Sequence, residues 1–187
     1  MILPTTWNVP ESIRTRVGKT TYGRQRAIVE EGHIVLVLHQ PPVADDHKRS
    51  GELFWRTPTG EWHWNHGASL PAAVKRHVQA YAEIEGKLEE ESEKAADLRA
   101  LFDLLGKVVP LARAARNQHA AIQAAREAVK GDAFLIELRD LASDIERSFD
   151  LLLDDVRNTI AYRTAREAEE QGRVSQAALR ASHRLNL

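Results

Sequence analysis

The sequence predicts an α+β protein: a small, mostly antiparallel N-terminal sheet packed on a helical hairpin, followed by one very long C-terminal stalk helix. Three observations predict it. Residues 1–68 hold all four tryptophans, with apolar runs and turn residues typical of strands. From Ser69 onward, apolar residues recur every three or four positions, the period of a packed helix. From Asp132 to Leu187 there is no proline, and the only glycine is Gly172, so no stop signal interrupts a helix. The chain divides accordingly into a β-rich part (1–68), a helical hairpin (69–131) and the long helix (132–187).

The first strands are Arg24 to Val29 and Ile34 to Leu38, a hairpin turning through Glu30-Glu31-Gly32-His33. The unbroken Ile-Val-Leu-Val-Leu run predicts a strand covered on both faces, hence central in its sheet. A polar loop follows, from His39-Gln40-Pro41-Pro42 to Arg49. The second hairpin joins Gly51–Arg56 to Glu61–Trp64 across Thr57-Pro58-Thr59-Gly60, with Pro58 at the favoured second turn position. That register sets Trp55 against Trp62, Leu53 against Trp64 and Arg56 against Glu61, with Leu53, Trp55, Trp62 and Trp64 on one face.

Ser69 is a candidate N-cap with Pro71 in the first turn. The helix then carries Val74, Val78, Tyr81, Ile84, Leu88, Ala95, Leu98, Phe102 and Leu105, and Gly106 closes it. A second helix starts around Pro110 with Leu111, Ala114, Ala115, Ile122, Ala125 and Val129, and Gly131 closes that one. Asp132 caps the third, whose stripe of Leu138, Ala142, Ile145, Phe149, Leu152 and Val156 alternates four and three. Past Ile160 the stripe thins to Ala161, Ala165 and Ala168 among arginines and glutamates. Such a stretch is either a stalk whose small residues admit close neighbours or a plain solvated helical tail. About 50 helical residues at 1.5 Å each span roughly 75–80 Å, several times the radius of a domain this size. With no capping glycine or proline after His183-Arg184-Leu185-Asn186-Leu187, the helix is expected to continue or to lean on copies of itself.

Composition excludes several classes. Lys+Arg 26 against Asp+Glu 27 leaves a formal charge of -1, so no global field draws in nucleic acid or anionic lipid. The absence of cysteine excludes disulfides, thiolate zinc sites and a cysteine nucleophile, and fits a reducing compartment. No segment approaches the ~18–20 continuous apolar residues that cross a bilayer. Met1 to Glu11 carries Pro4 and Pro10 and lacks the apolar region of a signal peptide, so the polypeptide as given is expected to be soluble and cytoplasmic.

Catalysis has no positive support. Gly18-Lys19-Thr20-Thr21 looks like the end of a phosphate loop, but the required earlier glycine is Ile13. Five of eight histidines precede Ser69, yet His63 and His66 point to opposite faces of a strand, and no zinc motif is formed. Asp45-Asp46-His47 reads as a solvated loop, and His77 and His119 sit on different helices without a partner pattern. The serines lack a nucleophile-elbow context. Acidic residues are the better candidates: Asp140, Asp144 and Asp155 stand near the core seam of the last helix, with Asp150 and Asp154 close by, and Glu89, Glu90, Glu91 and Glu93 form a run on the first. On an isolated helix they face solvent. Between subunits they repel, unless a hard divalent cation such as Mg²⁺ lies between them.

A sheet, a helical hairpin and one very long helix, in that order, resemble the cytoplasmic part of CorA-type divalent-cation transporters. Leu138-Arg139-Asp140-Leu141 is similar to the Leu-Arg-Asp-Val stretch that opens that family's stalk helix. Arg184-Leu185-Asn186-Leu187 is similar to the Arg/Lys-Leu/Thr-Asn segment that leads into its first membrane helix. The family's Gly-Met-Asn signature would lie beyond Leu187.

The resemblance implies a homopentameric funnel on the cytoplasmic side of the cell membrane, joined to it by C-terminal helices absent from this sequence. It implies long helices that line the permeation path and Mg²⁺ bound between neighbouring subunits, holding the closed state by differential affinity. Asp140 carries over as the metal ligand of the sensor, and Asn186 as a residue at the mouth of the pore. No motif marks a cross-subunit partner for Asp140. No nucleic acid and no enzymatic reaction are implied, and the transported ion (Mg²⁺, Co²⁺, Zn²⁺ or Ni²⁺) depends on residues outside the sequence. The alternative is a soluble self-associating scaffold that presents a coiled-coil-like arm to a protein partner. A hydrolase built on the acidic and histidine residues ranks far below both.

Overall fold

The computed structural model describes residues 3–18, 23–43, 50–67 and 71–185. The Ser69 cap, Lys19-Thr20-Thr21, Asp45-Asp46-His47 and Asn186 lie outside the described residues. The elements run α1 (Glu11–Val17), β1 (Arg26–Glu30), β2 (His33–His39), β3 (Gly51–Arg56), β4 (Trp62–Trp64), α2 (Pro71–Lys94), α3 (Leu98–Ala128) and α4 (Ala133–Leu185).

The four strands form one antiparallel sheet in the order β1-β2-β3-β4. The run Ile34-Val35-Leu36-Val37-Leu38 is fully buried and central, as its unbroken apolar character predicts. Its hairpin with β1 turns through Glu31 (φ 49) and Gly32 (φ 78), two positive φ values in a two-residue loop, the type I′ geometry that matches strand twist.

The second hairpin departs from the expected register by one residue. Phe54 pairs with Trp64, Trp55 with His63 and Arg56 with Trp62. The connection between Arg56 and Trp62 takes in Glu61 as a fifth residue, with Gly60 at φ 94 inside a loop closed by Thr57 N–H to Glu61 O at 2.9 Å. A left-handed glycine after the turn forms a bulge, and one inserted residue moves one strand's side chains to the other face. Phe54 therefore joins Trp62 and Trp64 on the helix side, while Leu53 and Trp55 face the opposite way.

That opposite face is covered by an N-terminal layer. Leu3, Trp7 and Val9, with Ile13 and Val17 of α1, bury Ile28, Val35, Val37, Leu53 and Trp55. The helix α1 was not anticipated; its signal is Ile13 and Val17 four apart after Pro10, too short to read alone. The molecule thus has three layers.

On the helix side, Ile34, Leu36, Leu38 and Phe54 share one core with α2, α3 and α4. The α2–α3 corner lies at Ala95-Ala96-Asp97, not at Gly106 as the sequence suggests. Asp97 caps α3 by accepting from Ala100 N at 2.8 Å. The helix α3 then passes through Gly106 and Pro110 without a break. The shifted corner turns Phe102 outward, where it is 54% exposed, while Leu101 and Leu104 take the core.

The seam of α4 forms as expected: Leu138, Ala142, Ile145, Phe149, Leu152 and Val156 are all buried. Each large side chain contributes about 1.5–3 kcal/mol relative to exposure. Asp132 caps the helix through Oδ1, which accepts from Leu135 N at 3.0 Å. Beyond Ile160 the helix leaves its core. Arg163 still ties it back there: its Nη2 donates to Ala95 O at 3.0 Å, at the tip of the hairpin. With 53 residues, α4 is about 80 Å long.

Candidate functional site

The acidic residues of α4 fall into separate environments. Asp140 and Asp144 are exposed, one turn apart, and lie off the buried seam, each two residues past a seam position (Leu138, Ala142). The Asp140 side chain is 59% exposed, with Arg139 Nε 3.0 Å from its Oδ1. Asp150 is held by Arg116 of α3 at 2.9 Å, and Arg116 also reaches Glu146, which meets His119. Those carboxylates are committed to tying α3 to α4.

Asp155 faces a different neighbourhood. It lines an open groove of about 380 Å³ between α2 and α4, together with Glu85, Glu89 and Glu93. Burial, and then the charge of Glu89, push the Glu85 carboxyl up from its ordinary 4.5. The groove splits the acidic run of α2, because Glu90 pairs with Lys94 and Glu91 with Lys107. Glu85 was not singled out in the sequence. Its spacing of four from Glu89 marks a shared face, but nothing local says that α4 lies opposite.

Histidines acquire partners that spacing did not reveal. His77 Nδ1 sits 3.0 Å from Glu52 Oε2 in the interior between β3 and α2, and Gln40 Nε2 donates to the other carboxylate oxygen. Burial pushes the Glu52 carboxyl up, but the His77 hydrogen bond and charge, with the Gln40 bond, outweigh it and hold the group below 4.5. His63 stacks on Trp55, with ring centroids 4.5 Å apart, and His66 meets Trp64 edge-on. As expected, the two point apart.

Among the described residues, no group of three or more His, Asp or Glu side chains converges on a point where a metal ion could sit. Asp140 offers one exposed carboxylate, an oxygen donor of the type Mg²⁺ takes, yet an octahedral ion needs further ligands. The chain alone fits such an ion only in part. Among the described residues, no helix is long and apolar enough to cross a membrane.

No protein-family model matches the sequence, and no curated protein matches it. Solved structures do. The ZntB cytoplasmic domain from Vibrio parahaemolyticus RIMD 2210633 superposes with a TM-score of 0.66 at 10% identity, covering 87% of this chain and 80% of that one. The fold is that of the ZntB cytoplasmic domain. Full-length CmaX gives the same TM-score, 0.66, at 10% identity over 91% of this chain, which spans 65% of CmaX. The soluble domain of CorA from Methanocaldococcus jannaschii aligns with a TM-score of 0.43 at 14% identity, over 82% of this chain and 76% of that one. At these identities the likeness is one of fold, so the roles of Asp140 and Asn186 are not transferred by it.

Proposed function

We propose that this chain is the cytoplasmic funnel domain of a CorA/ZntB-type divalent-cation transporter, and that cations bound between its subunits regulate it. The observation that carries this reading is an exposed seam on α4. Asp140, Asp144, Arg147, Leu151, Asp154, Asn158, Ala161, Ala165, Ala168, Gly172, Ser175 and Leu179 share one 3.5-residue register, and all are exposed. That register is the one along which helices of neighbouring subunits pack. It accounts for two large apolar side chains left in solvent, Leu151 and Leu179, at 65% and 69% exposure.

In this reading five copies surround an axis, their small residues allowing close approach, and α4 leads towards a membrane segment. Asp140 and Asp144 then face their counterparts on neighbouring subunits. Mg²⁺ screens the repulsion between these carboxylates, in addition to the charge of Arg147, which is exposed on the same line one heptad after Asp140. Loss of the cation leaves like charges opposed and shifts the population towards an open arrangement by the cation's differential affinity.

The test is solution mass by light scattering, in about millimolar Mg²⁺ and then in EDTA, for the native chain and for Asp140→Ala. A pentamer that loosens in EDTA, and a variant indifferent to Mg²⁺, are the expected results. A cation-indifferent dimer or trimer favours the coiled-coil scaffold, which the same exposed seam also suits. A monomer under every condition removes Asp140 as an intersubunit ligand.

A further inference from the structure

The outer face of the sheet carries an aromatic stack that the funnel reading does not use. Trp55, 6% exposed, lies 4.5 Å from His63, 5.6 Å from Trp7 and 5.8 Å from His33, measured between ring centroids. Its Nε1–H donates to His33 Nδ1 at 3.1 Å. An indole nitrogen is only ever a donor, so the His33 nitrogen it meets must accept. The indole N–H thus occupies the lone pair of His33 Nδ1, the position a proton on that nitrogen would take. Trp7 belongs to the N-terminal layer and rests on Trp55, so the same ring anchors that layer to the sheet.

We propose that the His33–Trp55 pair is an acid-sensitive fastening of the N-terminal layer, residues 3–17. A proton on His33 Nδ1 removes the acceptor and turns an N–H towards the buried indole N–H. The folded arrangement then loses a hydrogen bond and leaves a buried donor unsatisfied, whereas the opened layer lets both groups reach water. Acidification therefore favours opening.

The surrounding charges are few. Glu30 of β1 is the cross-strand partner of His33 and pairs with Arg16 of α1 at 3.6 Å. Glu31 lies in the adjacent turn, and His63 stacks on the same indole from β4. Arg56, next to Trp55 in β3, points to the other face, towards Asp132. Glu30 is the competing candidate, because protonating it would release Arg16.

The experiment is amide hydrogen exchange of residues 3–17 at about pH 7.5 and about pH 5.5, corrected for intrinsic rates, on the native chain, His33→Gln and Glu30→Gln. Native protection should fall about five-fold or more, the ratio that corresponds to about 1 kcal/mol. His33→Gln, whose carbonyl accepts but does not titrate, should flatten the response, and Glu30→Gln should keep it. Two-bond ¹H–¹⁵N correlation should show an unprotonated His33 Nδ1 at the higher pH. Equal protection at both pH values, a full response in His33→Gln, or a proton on Nδ1 overturns the proposal. If His33→Gln does not fold, Trp55→Phe removes the donor instead, and its layer should respond less than the native one.

Discussion

Asp132 uses its two oxygens for different purposes. Oδ1 caps α4 at Leu135 N, while Oδ2 takes Arg56 Nη2 at 2.7 Å and Nε at 2.9 Å, fixing the β3–β4 hairpin to the root of the long helix. The cap is legible in the sequence as Asp after Gly131. The clamp is not, because its two members are 76 residues apart and only the fold brings them together. With side chains 10% and 14% exposed, removing one member leaves the other charge buried. Asp132→Ala should cost about 3–5 kcal/mol in urea unfolding, and Asp132→Asn, which keeps the cap, should cost less. Equal losses would mean that the cap contributes nothing. Glu52 follows a different rule. Its carboxyl is held below 4.5 in the folded chain, so its stabilisation is complete above that value and disappears as pH falls through the lower folded one. Glu52→Gln should accordingly be less stable than the native chain near neutrality and approach it in acid. A gap that persists unchanged at low pH would show that packing, not charge, is what the substitution disturbs.

At the scale of elements, what the sequence made readable was period, and what it hid was punctuation. The seam of α4 and the central run of β2 follow from spacing alone, because burial selects apolar residues at the helical or strand repeat. Glycine and proline mislead in two places. Gly60, at positive φ, lets Glu61 join a turn that otherwise looks four residues long, and this turns Trp55 away from the helix side that Trp62 and Trp64 keep. Gly106 and Pro110 mimic the end of one helix and the start of the next, yet α3 continues through both. They are four apart, so the N–H that proline lacks is the one the Gly106 carbonyl would have received. One lost bond is outweighed by Leu101, Leu104, Val108 and Leu111, buried on either side. The true corner had a signal, Asp97 as an N-cap, but no glycine or proline to advertise it. If α3 is continuous, Gly106→Ala should stabilise the protein by about 0.5–1 kcal/mol, since Gly106 is exposed and nothing lies within 4 Å of an added Cβ. A break at that point would give the opposite sign in the same unfolding experiment.

For the whole molecule, the distal part of α4 is the feature that its own fold does not explain. From Thr164 to His183 every side chain is exposed, so this stretch adds almost nothing to the stability of a single copy. Sequence alone leaves two accounts open, a stalk that packs on its copies and a solvated tail, because both require high helix propensity and few large apolar residues. Gly172 separates them. No atom lies within 4 Å of a Cβ built there, so a larger side chain meets no obstacle in one copy. Gly172→Leu should leave the unfolding free energy of a single copy unchanged or raise it by up to about 0.8 kcal/mol through helix propensity. Gly172 also lies on the exposed seam between Ala168 and Ser175, where neighbouring helices would need small residues to approach closely. A leucine in that position holds their backbones apart. The expected result is therefore a variant with intact helicity and undiminished stability but a lower solution mass in Mg²⁺ than the native chain. Should the mass stay the same, the seam is not the contact between copies, and the distal helix is a solvated arm.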